Sequence, residues 1–207
     1  MRLTRACCLV TVALGVTIAG GTSTALAEGP TALCQKNELP CAEKAQYGEG
    51  TIIKASTNNL LTFLLTETFK ITCQHSGFEI ELTQALGEPL EASIVQYTLE
   101  ECFWGTSECS VVTESPQPIS FLREESRAVG TGEMSATVSC PGMGVCKLTA
   151  SPFTPLRLFS TVEGEAAKLW VHEILFELET PKLFCPKIWK FESINEIVSP
   201  EPLYVSS

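Results

Sequence analysis

The chain has 207 residues, 24 acidic against 14 basic side chains, a formal net charge of −10 and no basic run, so its overall charge argues against nucleic acid and anionic membrane surfaces as partners. Every acid is a Glu, and His75 and His172 are the only imidazoles. Asp-containing triads, Asp-rich calcium loops, Asp–Asp pairs and His-rich metal centres are thereby excluded.

Residues 1–27 read as an export signal: Arg2 and Arg5 give a positive start, "ACCLVTVALGVTIAG" an apolar stretch, and Ala25-Leu26-Ala27 a small-residue cleavage site. The apolar run falls short of the ~20 residues a membrane span requires, and no later segment is apolar enough to be one. Cys7 and Cys8 leave with the signal, and no Cys sits at the cleavage point to take a lipid. The expected mature chain, 28–207, is long enough for a hydrophobic core of its own. It reads as one domain, with Glu114–Pro118 the place where two halves would divide.

Residues 28–49 are turn-rich and polar, with Cys34 and Cys41 bracketing a short loop. Short β-type runs follow: "GTIIKAS", "LLTFLL", then "ETFKITC", whose Phe69, Ile71 and Cys73 alternate with polar residues. "CQHSGFE" predicts a polar hairpin turn at Gly77, after which Phe78, Ile80 and Leu82 mark another inward face. "EASIVQYTLE", "PISFLR", "EMSATVSC", "CKLTA" and "LRLFS" continue the series, with Gly130 and Gly132 among the turn residues between runs. In "KLWVHEILFELE", Trp170, His172, Ile174, Phe176 and Leu178 fall on one face at strand spacing, and "PKIWKFESI" and "PLYVSS" come last. Weak helical signals lie near 42–47 and within 82–95. The pattern predicts an all-β fold, an antiparallel sandwich or barrel stapled by disulfides. "FLLTETFKITC" and "FELETPKLFC" echo each other, suggesting equivalent strands that deliver Cys73 and Cys185 to one core.

Eight cysteines remain after the signal: Cys34, Cys41, Cys73, Cys102, Cys109, Cys140, Cys146 and Cys185. An even count in an exported chain predicts a disulfide framework. Pairing neighbours gives 34–41, 102–109 and 140–146 and leaves 73 with 185. No Cys-x-x-Cys occurs, which removes the usual zinc knuckle and the thioredoxin-type redox centre; no metal and no cofactor is expected.

Chemistry has few candidates. His75 and Ser76 are adjacent, so on a strand they point to opposite faces and make a poor catalytic pair. His172 is expected as a hydrogen-bonded core residue. Glu173, Glu177 and Glu179 read as an acidic outer face rather than a hydrolytic carboxylate pair. Trp104, with Phe103 beside it in "ECFWGTSEC", is the binding candidate: an aromatic on a stapled turn grips a sugar ring or a protein partner. The competing expectation is an indole folded back over the loop's own disulfide, and the pair Ile188-Trp189 has the same ambiguity between binding and core.

The signal sequence, "GTIIKAS", "KITC..S.FE", "VSCPGMGVC" and the late "CP" before "WKF" resemble a group of uncharacterised secreted actinobacterial proteins. That resemblance implies export and a β-rich, disulfide-bonded fold, and assigns no functional residue. The expectation is an exported protein, secreted or attached to the cell envelope, that binds a protein or glycan or serves a structural role. A Glu-dependent hydrolase and a disulfide-stabilised inhibitor are the alternatives.

Overall fold

A computed structural model describes residues 30–57, 62–125, 127–150, 156–179 and 183–206; the expected signal segment lies outside them. The described residues form an antiparallel all-β structure with four disulfides. In chain order the strands are β1 (Thr31–Cys34), β2 (Ile52–Ser56), β3 (Thr62–Leu65), β4 (Lys70–Leu82), β5 (Leu86–Gly87), β6 (Leu90–Trp104), β7 (Ser107–Thr113), β8 (Gln117–Glu124) and β9 (Arg127–Gly132). They continue as β10 (Met134–Cys140), β11 (Gly144–Ala150), β12 (Leu156–Phe159), β13 (Lys168–Leu178), β14 (Ile188–Ser199) and β15 (Tyr204–Ser206). Near 42–47 a single 3-10 turn, Glu43–Ala45, is present, whereas 82–95 holds no helix: it carries the end of β4, β5 and the start of β6, whose Leu90, Ala92 and Ile94 point inward at period two.

Four long strands, β4, β6, β13 and β14, organise the sheet. One end of each pairs into the circuit β2–β4–β6–β8–β9–β12–β13–β14. The other end pairs into β3–β4–β6–β7–β10–β11–β13–β14. Both circuits close, giving a barrel in two tiers whose twelve-stranded wall presents no long free edge among the described residues. A small sheet, β15–β1–β5, lies at the first tier's end and sends Leu33 and Val205 into the common core. Residues 114–116, the expected dividing point, join β7 to β8, and both of those strands pair with β6.

Between the tiers the strands change phase. Gln74–His75 on β4 and Glu100–Glu101 on β6 are pairs of successive exposed residues that interrupt the inward alternation, with Glu101 at φ 51°. On β13 a bulge between Val171 and Ile174, with Glu173 at φ 52°, does the same. The expected single face of β13 is therefore wrong: Leu169, Val171, Ile174 and Phe176 are buried, while Trp170 and His172 lie half-buried on the outer wall, 4.8 Å apart. His172 is no core residue.

The predicted turn at Gly77 is also overturned, because β4 runs unbroken from Lys70 to Leu82. Ser76 faces inward at the gap between β2 and β3, where β14 offers it polar partners. Its Oγ lies 3.0 Å from Ser193 Oγ and donates to Asn195 Oδ1 at 2.6 Å, and Asn195 Nδ2 donates to Ser193 Oγ at 2.9 Å. Gly130 is a strand residue rather than a turn residue. A Cβ there would come within 2.8 Å of the Phe121 ring, which lies over it from β8.

Of the expected disulfides, Cys34–Cys41 is present. The others are Cys73–Cys102, Cys109–Cys140 and Cys146–Cys185, so the neighbour rule fails for six cysteines. Register is the reason. Cys102 faces both Cys73 on β4 and Cys109 on β7, and Cys140 follows in line on β10, forming a row of four. Joining 102 to 109 would leave 73 and 140 three strands apart, about 14 Å at ~4.8 Å per strand and beyond disulfide reach. Cys146 sits opposite Val138 rather than Cys140, and bonds instead to Cys185 in the loop before β14. The supposed twin of Cys73 thus lies in a loop, and the sequence echo does not mark equivalent strands.

Candidate binding groove

"ECFWGTSEC" forms the β6–β7 hairpin, with Trp104 opposite Ser107 across a two-residue turn. Gly105, at φ 59°, occupies the first turn position that a type II′ turn reserves for glycine. Cys102 and Cys109 face each other but bond outward, so the loop has no disulfide of its own for the indole to cover. Phe103 and Trp104 are both half-buried. The Trp104 ring packs on the core and meets Phe69 edge to face, with centroids 5.2 Å apart.

Phe69 leads to the larger feature. The β3–β4 turn and the loop 183–187 between β13 and β14 stand at the same end of the second tier, and between them lies a groove of about 1110 Å³. This is at the upper end of small-molecule sites, which run to ~1,000 Å³. Leu65, Phe69, Leu175, Pro186 and Ile188 contribute its apolar lining. Leu183 and Phe184 also line it, yet are 89% and 64% exposed, and Ile188 and Leu175 are 57% and 49% exposed. Four large apolar side chains in one neighbourhood form the kind of patch that marks an interaction site.

The loop beneath this patch is pinned. Cys185 is bonded to Cys146 on β11, and Trp189, fully buried, donates from Nε1 to the Pro186 carbonyl at 3.0 Å. Charge at the groove is mixed. Lys70 on β4 and Lys190 on β14 both pair with Leu65 of the intervening β3, and Lys187 lies in the loop. Glu67 lines the groove, and Lys190 Nζ lies 3.3 Å from Glu173 Oε1.

Of the other sequence candidates, Ser76 and His75 lie away from the groove. Ser76 is buried, whereas His75 is exposed, 3.9 Å from Glu101. Glu173, Glu177 and Glu179 are exposed on the wall beside the groove, Glu173 paired with Lys190, Glu177 opposite Ile188, and Glu179 accepting from Thr149 Oγ1 at 3.2 Å. Among the described residues no group of three or more His, Cys or Glu is placed to hold a metal ion. Phe103 and Trp104 are singled out by sequence, as is the pair Ile188-Trp189, of which Ile188 lines the groove and Trp189 is buried; Leu175, Leu183, Phe184 and the lysines are not. "PKLFCPKIWK" carried a signal in its alternation of lysines with apolar pairs, which strand patterning alone absorbs as ordinary β residues.

No family model, curated protein or solved structure matches the chain. The groove is therefore read from its own residues.

Proposed function

We propose that this is an exported, non-catalytic binding protein of the extracellular space or cell envelope, with the groove as its binding surface. The observation that carries the reading is the exposure of Leu175, Leu183, Phe184 and Ile188 around one concavity on a disulfide-pinned mount. Exposing large apolar side chains on a fixed loop sacrifices burial worth about 1.5–3 kcal/mol each, which a partner recovers by covering them. Trp104 then supports the site from behind Phe69 rather than gripping the partner itself. Four disulfides suit an oxidising compartment; with the signal-like leader and the resemblance to secreted actinobacterial proteins, they support the extracytoplasmic assignment. A hydrolase reading gains nothing here, since Glu67 is the single carboxylate among the lining residues and glycoside hydrolysis calls for two.

The test is a fluorescence titration of the oxidised mature protein with 1-anilinonaphthalene-8-sulfonate. Saturable, blue-shifted enhancement is expected, with at least a tenfold loss of affinity in Leu175→Glu and Ile188→Glu at an unchanged thermal midpoint. Dye binding that is indifferent to both substitutions refutes the reading.

A further inference from the structure

At the first tier's end, away from the groove, a hollow of about 780 Å³ opens between loop 35–40, the end of β8, residues 160–164 and β15. That is within the ~300–1,000 Å³ of small-molecule sites. We propose that this hollow binds a neutral glycan, with Phe159 and Trp170 continuing the site along the outer wall.

The first argument is the mixture of groups. Arg123 is oriented by its Nε, which donates to the Glu125 carbonyl at 3.1 Å, and it makes no ion pair among the described residues. The side chains of Asn37 and Tyr204, which also line the hollow, have no hydrogen-bond partner among the described residues. Glu125 and Glu163 add acceptors, and Phe159 and Leu39 add apolar surface. A sugar matches this set, because its hydroxyls both donate and accept while its ring faces are apolar. One guanidinium against two carboxylates is the wrong balance for a phosphate or a polyanion. Glu125, the first residue after β8, also sits at φ 56°, where Gly, Asn or Asp is the usual choice. Strain of this kind is retained where the side chain is needed.

The second argument is the backbone, which leaves a peptide nothing to pair with. β15 is bonded to β1 on one side. On the other, Leu203 N and Val205 N donate to Thr161 Oγ1 and Ser160 Oγ, both at 2.9 Å, and Thr161 N donates to the Leu203 carbonyl at 2.7 Å. Strand addition is therefore closed off at this edge, and recognition falls to side chains. The mount is firm: loop 35–40 is closed by Cys34–Cys41, and Ser206 Oγ donates to its Glu38 carbonyl at 2.7 Å.

The third argument is continuity. The Phe159 ring lies 6.1 Å from Trp170, which is 4.8 Å from His172 and 5.6 Å from the Arg157 guanidinium. Rings and hydrogen-bonding groups thus alternate from the hollow across β12 and along β13, as a chain of sugars requires. Charges beside Phe159 are paired, Arg127 with Glu124 at 2.8 Å and Lys168 with Glu165 at 2.7 Å, which again suits a neutral ligand.

The experiment is affinity electrophoresis of the full mature, oxidised protein in native gels cast with soluble starch, mixed-linkage β-glucan, mannan or arabinogalactan. Retardation by at least one polymer is expected, and calorimetry with a hexasaccharide of that polymer then gives the affinity. Arg123→Met is expected to lose about tenfold or more and Tyr204→Phe about fivefold, as deleted hydrogen bonds, and Trp170→Ala about tenfold as a deleted stacking face. Val112→Ser, on the exposed wall of β7, should change nothing; circular dichroism verifies the fold of each variant. Three results overturn the proposal: free migration in all four polymers, retardation that survives both Arg123→Met and Tyr204→Phe, or binding of hexalysine in place of every sugar, which would make the hollow a site for cationic peptides. The dye titration reads the groove separately, so its outcome and this one are independent.

Discussion

Replacing Cys102 by Ala releases the thiol of Cys73 across β4 and leaves Cys109 bonded to Cys140. The lost bond joins residues 29 apart in sequence. In the loop-entropy account, a closure of that length restrains the unfolded chain by about 3.6 kcal/mol at 25 °C. A bond across the β6–β7 hairpin, closing only seven residues, would give about 2.4 kcal/mol. Both figures are large against the ~5–15 kcal/mol that holds most domains folded. The clean perturbation is the double variant Cys73→Ala/Cys102→Ala, which leaves no free thiol to exchange, measured by urea unfolding with the slope held common. A fall of about 3–4 kcal/mol is expected. The single variant Cys102→Ala reports connectivity: alkylation under denaturing conditions followed by peptide mass spectrometry should label Cys73. Label on Cys109 would refute the four-cysteine row and the register from which it is argued.

Asn195→Ala removes the acceptor of Ser76 and the donor to Ser193 in the gap between β2 and β3; a loss of about 2–4 kcal/mol in chemical denaturation is expected. The Tyr97 hydroxyl is buried with no hydrogen-bond partner among the described residues, and its ring stacks on Phe78 at 4.2 Å. Tyr97→Phe should therefore keep the packing and gain about 1 kcal/mol, whereas a loss of that size would mean the hydroxyl is satisfied. Burial raises the Tyr97 phenol well above its ordinary value. Its contribution to stability is thus intact below about pH 10 and lost as the pH climbs beyond, because the unfolded chain ionises first; absorbance at 295 nm should register Tyr97 only on alkaline unfolding. The side-chain hydrogen bond from Lys168 holds the Glu165 carboxyl below the usual range, and the same bond raises Lys168. The pair stabilises above the ordinary Glu pKa, loses that contribution as pH falls through the depressed one, and loses it again as pH rises through the raised lysine value. In an NMR titration, Lys168→Met should return Glu165 to an ordinary carboxylate; a Glu165 midpoint unmoved by that substitution would refute the contact.

Much of the β pattern was legible because period-two alternation reports burial directly. Ile71 and Cys73, then Phe78, Ile80 and Leu82, face inward as their spacing indicates. The failures occur where alternation alone is ambiguous. Two polar residues followed by Gly77 read as a turn, yet the same residues continue a strand when polar partners on β14 await Ser76. Nothing in "LWVHEIL" announces that Glu173 will adopt a left-handed conformation and shift the phase, so Trp170 and His172 were placed on the wrong side. Thr31–Cys34 was read as part of a polar turn region, but it is a fully buried strand, because β15 and β5 supply edges that no local pattern encodes. The disulfides failed for the same reason: sequence gives separations along the chain, and pairing follows separations across strands. Of the site, Trp104 was visible as an aromatic on a turn. Its role behind Phe69 depends on two hairpins converging.

Closure of both barrel circuits also has a kinetic consequence. β2 and β3 each depend on β14 for one of their two neighbours, so Ser56 waits for Glu196 and Leu65 for Lys190. Until that strand arrives neither circuit closes, and β2 and β3 on one side and β13 on the other keep bare edges. Pairings this distant in sequence fold slowly and are exposed to aggregation while they wait. The cysteine row offers a way through that interval. Cys73–Cys102 and Cys109–Cys140 both lie within the first 140 residues, so oxidation can lock β4 to β6 and β7 to β10 before the closing strand exists. An oxidising compartment would then act on this fold as a timing device as well as a reinforcement, fixing each half in register while the barrel is still open.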